Sequence, residues 1–142
     1  MTESRPDYTL LDHTADLGIR VRGTDLKNLF ENAGKALMHL MVRGKIHGKT
    51  SSKRITVSGE DLADLMVEWL GEILYLFEGE MHVVTSISVD SLTPSKLEAF
   101  VETVPYDPKI HEVLSEVKAV TYHQIEVVDK GNHWEAKVIF DI

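Results

Sequence analysis

EDLADLMVEWLGEILYLF (60–77) carries the strongest periodic signal in the chain. Leu62, Leu65, Met66, Trp69, Leu70, Ile73, Leu74 and Phe77 recur at steps of three and four residues, which sets a continuous apolar stripe along a helix. The spacing predicts a helix from Glu60 to Phe77. Its polar face carries Glu60, Asp64, Glu68 and Glu72 at four-residue intervals, with no lysine among them. Like charges so placed repel by roughly a few tenths of a kcal/mol per pair. Three readings of that face are open: a solubility surface, an answer to a basic segment elsewhere in the chain, or a docking face for a basic partner.

Upstream, residues 43–54 hold five basic residues and no acid, and read as a polar connector that includes Ser51 and Ser52. Residues 54–58 (RITVS) then read as a strand. Before the connector, Leu26, Leu29, Phe30, Ala33, Leu37, Leu40 and Met41 describe a second amphipathic helix, with Lys27, Glu31 and Lys35 along its exposed face. Thr24 is placed to cap it, and Asp25 to face its positive end. Residues 8–12 and 16–22 read as short strands, since Leu17, Ile19 and Val21 alternate with Gly18, Arg20 and Arg22.

Downstream the chain is mostly extended. Val83 to Val89 alternates, Thr93-Pro94-Ser95 reads as a turn, and Leu97, Ala99 and Val101 alternate until Pro105 and Pro108 interrupt. Residues 109–116 fit either a helical turn or the approach to a strand. Val117 to Val128 reads as one strand, 129–132 as a hairpin loop and Trp134 to Ile142 as a final strand. Two helices covering antiparallel strands make an α+β layer fold.

The 142 residues suit one domain, 1–142, able to bury a core, and 43% apolar with 27% charged residues is ordinary globular composition. Cysteine is absent, which removes disulfides and thiolate chemistry. The N-terminus has no apolar signal segment, and the longest apolar run, Ile73 to Phe77, is far below the roughly 20 residues a bilayer requires. A soluble, cytoplasmic protein is expected. Residues 1–54 carry a charge of +4 and residues 55–142 carry −12. A balance this acidic disfavours tight nucleic-acid binding, which depends on cations at phosphates, and favours a basic protein partner.

Catalytic patterns are missing: no P-loop, no G-x-G-x-x-G, no G-x-S-x-G elbow, and no His pair at helical metal-ligand spacing among seven histidines. Two places hold chemistry. Asp12-His13-Thr14-Ala15-Asp16 gathers two carboxylates, an imidazole and a hydroxyl at a strand junction, suited either to a hard cation or to plain turn chemistry. At the other end, the α-carboxylate of Ile142 lies a few bonds from Asp141, and two adjacent anions invite a cation; a strand that simply ends is the blander alternative.

The blocks DHTADLGIRVRGTDLKNLFENAGKAL (12–37), VEWLGEILYLFEGE (67–80), VKAVTYHQIEV (117–127) and HWEAKVIFDI (133–142) together resemble the archease family, in the right order and over nearly the whole chain. The resemblance implies an α+β fold of strand-helix-strand-strand modules. It implies a non-catalytic accessory protein for the RtcB-type tRNA-splicing RNA ligase, promoting ligase guanylylation and repeated turnover and broadening nucleotide use. Chaperoning a tRNA cytosine methyltransferase is the family's alternative role. By resemblance Asp12, Asp141 and the terminal carboxylate of Ile142 are metal ligands for a divalent ion (Ca2+, or Mg2+ or Mn2+). Lys118 matches a functional lysine, while His13 and Asp16 belong to the signature.

Three anionic groups cannot fill the roughly six to eight oxygen positions of Ca2+ or the six of Mg2+. Water or a partner's ligand must complete the shell, as suits an ion positioned at a nucleotidyl-transfer site. A metal-dependent hydrolase is the competing reading from another class, and the lack of a general base beside these carboxylates weighs against it.

Overall fold

The computed structural model describes residues 5–11, 16–46 and 48–142. Ten strands and two helices follow in the order β1 (Tyr8–Leu11), β2 (Leu17–Gly23), α1 (Leu26–Met41), β3 (Val42–Gly44), β4 (Ser51–Ser58), α2 (Leu62–Glu78), β5 (His82–Thr93), β6 (Lys96–Pro105), β7 (His111–Val113), β8 (Ala119–Val120), β9 (Glu126–Asp129) and β10 (Trp134–Asp141). One sheet runs β1-β2-β10, with β8 and β9 sharing the far edge of β10; a second runs β4-β6-β5; β3 and β7 form a two-stranded ribbon. Every pairing is antiparallel. This is the α+β layer fold expected from the two helical stripes and the alternating strands.

The apolar stripes form the centre. Leu29, Phe30, Ala33 and Leu37 of α1 and Leu65, Trp69, Leu70 and Ile73 of α2 are fully buried. Burying each large apolar side chain is worth roughly 1.5–3 kcal/mol, so these two faces carry much of the stability. Both helices touch both large sheets and each other. Trp69 joins them: its indole N–H donates to the Phe30 carbonyl at 2.8 Å. Gly34 lets α1 approach closely, because a Cβ there would lie 2.7 Å from Ile87 Cδ1 and 3.3 Å from Trp69 Cζ2.

Local starts differ from the sequence expectations by one or two residues. Asp25, not Thr24, caps α1 by accepting the Asn28 N–H, and Asn28 Oδ1 in return accepts the Thr24 N–H. Helix α2 begins at Leu62 rather than Glu60, capped by Asp61, which accepts the Asp64 N–H. The aspartate is the better cap in both cases because its carboxylate also faces the positive helix end.

Two expectations are corrected and one open reading is settled. The 43–54 connector is strand at both ends: β3 continues directly from α1 to pair with β7, and β4 starts at Ser51 opposite Thr103. Pairing partners distant in sequence, from Arg54 opposite Phe100 to Val42 opposite Val113, impose these strands on polar sequence. Within 109–116, which the sequence leaves open, a turn at 109–110 leads into the short strand β7, the second of the two alternatives. Residues 117–128 are two strands rather than one, because the Ile125 N–H turns back to the Tyr122 carbonyl with Gln124 at φ 52°. The hairpin loop at 129–132 is as expected, with Gly131 at φ 95° and its N–H on Asp129 Oδ1. No helix among the described residues is long and apolar enough to cross a membrane.

Candidate functional site

Strand β10 places the C-terminal residues. Trp134, Ala136, Val138 and Phe140 turn to the helices, and Ala136, Val138 and Phe140 are buried there. This face anchors the strand, so Asp141 is presented on the opposite face and is exposed. The last turn of chain is gripped from the far edge: the Lys118 N–H donates to the Asp141 carbonyl at 2.8 Å, and Thr121 donates to the Ile139 carbonyl through its N–H at 3.0 Å and its hydroxyl at 2.8 Å. Ile142 follows, half exposed.

Strand β2 brings a second carboxylate to the same end. Its pairing with β10 closes at Phe140 opposite Leu17, so Asp16 and Asp141 follow one step beyond on neighbouring chains. Asp141 pairs with Ala119 on its other side, next to Lys118, whose side chain is exposed. Asp16, Lys118, Asp141 and Ile142, far apart in sequence, therefore converge at one end of the sheet. Asp12 and His13 lie outside the described residues. Leu11, the last residue of β1, stands opposite Gly18, and Gly18 stands opposite Ile139, so β1 delivers the chain to this same end.

The donors gathered here are hard oxygens, and the chain has no cysteine to offer a soft ligand. Such a set fits Ca2+, Mg2+ or Mn2+ in preference to thiolate-seeking metals. Among the described residues no group of three or more His, Cys, Asp or Glu side chains comes together as a metal cage. Asp16 and Asp141 by themselves are too few to fill a coordination sphere.

The acidic face of α2 borders this end through a residue that sequence reading overlooked. Tyr122, just beyond β8, donates its hydroxyl to Asp64 Oδ1 at 2.7 Å and stands 3.2 Å from Glu68 Oε1. The Asp64 hydrogen bond leads the effects that push the Tyr122 phenol up to about 12, because it favours the protonated form. Asp64 itself is held below its usual range, first by the Glu60 N–H and then by Tyr122. Of the three readings of the acidic face, an answer from the connector finds no ion pair among the described residues: Lys53 pairs with Glu80, Arg54 with Glu98 and Arg43 with Glu112. Acids four apart with no lysine were the signal that something outside the helix meets them. Nothing local pointed to Tyr122.

The family model of the archease protein family matches residues 8–142. The archease of Methanosarcina acetivorans is 36% identical over 140 residues, covering 95% of each chain. That of Pyrococcus furiosus is 37% identical over 138 residues, covering 92% of this chain and 95% of its own. The solution structure of a Methanobacterium thermoautotrophicum protein superposes with a TM-score of 0.69 at 27% identity, covering 96% of this chain and 99% of that one. The crystal structure of a Thermotoga maritima archease, described as a possible chaperone, superposes at 0.64 with 21% identity over 93% of this chain and 94% of its own, and shows the shared fold. With the family pattern matched from β1 to the last residue, the chain belongs to the archease family.

Proposed function

We propose that this archease is an accessory protein, not a catalyst, that activates an RNA ligase of the RtcB type, promoting its guanylylation and turnover and widening its use of nucleotides. What supports this reading, beyond family membership, is the meeting of Asp16, Lys118 and Asp141 at the end of β10. Among the described residues the site offers carboxylate oxygens for a cation, and Asp141 and Ile142 are exposed, where a partner can complete the shell. Asp12, Asp141 and the Ile142 carboxylate would hold the divalent ion, which supplies positive charge against phosphate oxygens when bound. Lys118 would place a further cation beside that phosphate, while the acidic α2 face would meet basic surface on the ligase.

Ligase guanylylation measured with wild type, Asp12→Ala and Asp141→Ala tests the proposal. Stimulation should fall in both variants, and full stimulation by both would sink it. The second reading, a chaperone for a tRNA cytosine methyltransferase, rests on the family resemblance. Affinity capture from cell extract separates the two by which enzyme is retained.

A further inference from the structure

A cleft of about 680 Å3 opens between the C-terminal half of α1, β5 and the β3–β7 ribbon. It reaches Pro6, just before β1, so it lies at the opposite end of that strand from Leu11 and the carboxylate site. Its floor is apolar, with Met38, Val42, Val84 and Ile87 among its residues. Its walls carry Lys35, Arg43, Lys45 and Lys109, and none of the described residues lining it is acidic. In a chain with 23 acids and 15 bases, four cations and no carboxylate among the described residues lining one cleft is a local inversion of charge.

Three of these four cations are not consumed internally. Arg43 meets Glu112 at 2.9 Å, but Lys35, Lys45 and Lys109 form no ion pair among the described residues. The exposed series on α1 shows why Lys35 is available. Lys27 donates to the Asp90 carbonyl at 3.0 Å and Glu31 accepts the Val89 N–H at 2.9 Å, so both close the free edge of β5. One turn later β5 bulges between Val84 and Ser86, and Lys35 lines the cleft instead. The alternation that turns the Val89 N–H to the free edge turns that of Ile87 the same way.

Hydrogen bonds also tie the walls together. His111 Nδ1 accepts the Asp107 N–H at 2.9 Å, which leaves Nε2 to donate to the Lys45 carbonyl at 3.1 Å. His39 Nδ1 stands 2.7 Å from the Tyr8 hydroxyl; with Tyr8 donating, the proton on Nε2 is a further donor at the cleft.

We infer that this cleft binds a small amphiphilic organic anion, an apolar body carrying a sulfonate, carboxylate or phosphate head. The volume falls within the roughly 300–1,000 Å3 of small-molecule sites, and an apolar floor with a few polar groups at the rim is their usual make-up. The body would lie on Met38, Val84 and Ile87, and the head would meet Lys35 and Lys109.

The probe is 8-anilinonaphthalene-1-sulfonate, titrated by fluorescence into the full chain and mapped by methyl NMR. One saturable site is expected, with shifts at Met38 and Ile87 and affinity falling as salt is raised. Lys35→Glu and Lys109→Glu, each checked for native circular dichroism, should each weaken binding about threefold to tenfold. Lys96→Glu, outside the cleft, should leave it unchanged. Decanoate or decyl phosphate should displace the probe, and which one does so identifies the preferred head. Shifts confined to other methyl groups, unchanged affinity in both cleft variants, equal affinity for uncharged N-phenyl-1-naphthylamine, or displacement by neither competitor would each overturn the inference.

Discussion

Replacing Trp69 by Phe tests the claim that this one side chain ties α1 to α2. Trp69 is fully buried and its N–H donates to the Phe30 carbonyl. That carbonyl keeps its own helical partner, the Gly34 N–H, so Trp69→Phe removes a hydrogen bond without orphaning a buried acceptor, at about 1 kcal/mol. The lost ring also withdraws about 40 Å2 of buried apolar surface, worth about 1 kcal/mol. The void left behind, about 40 Å3, costs about another 1 kcal/mol. The expected loss is therefore about 3 kcal/mol, or about 10 °C in Tm for a chain of this size. Urea unfolding followed by far-ultraviolet circular dichroism measures it, at unchanged slope.

The structure also predicts a coupling. Gly34→Ala would put its new methyl group 3.3 Å from Trp69 Cζ2, an atom absent from phenylalanine, while the Ile87 Cδ1 methyl can turn aside. The double variant should thus be more stable than the sum of the single losses by about 1 kcal/mol. A loss under about 1 kcal/mol for Trp69→Phe, or strict additivity with Gly34→Ala, refutes the packing described.

Other outcomes follow from single contacts. Spectrophotometric titration of the four tyrosines should show one phenol ionising near 12, and Tyr122→Phe should remove that step. Glu135, buried on β10, is held below its ordinary value of 4.5, first by its hydrogen bond with His133. Its contribution is therefore complete above that value and lost as pH falls through the lower folded one; urea midpoints of Glu135→Gln should fall less steeply in acid than those of wild type. Gly44 sits at φ +147° with the Ile110 carbonyl where a Cβ would stand, so Gly44→Ala should cost about 2 kcal/mol or more and unseat the β3–β7 ribbon, read by calorimetric Tm. A C-terminal extension should weaken calorimetric metal binding while an N-terminal tag does not; equal affinities would exclude the Ile142 carboxylate as a ligand.

Both helices, the β5–β6 hairpin at Pro94-Ser95 and the glycine turn at 129–132 were legible in the residues, because each is dictated by neighbours within one or two turns of chain. The end of β10 was legible only as alternation, with Asp141 and Ile142 at its tip; resemblance, not spacing, linked them to Asp12. Tertiary structure decided what long-range pairing decides. It made a strand of polar residues 51–53, broke 117–128 at Tyr122, carried Asp16 and Lys118 to Asp141, and joined Tyr122 to Asp64 across 58 residues. It also left one turn of α1 facing a bulge in β5, so that Lys35, the third member of an ordinary surface series, lines a cleft. A helix repeats its own period, but a strand takes its partner from wherever the core's closure brings one, and sites built between strands inherit that non-locality.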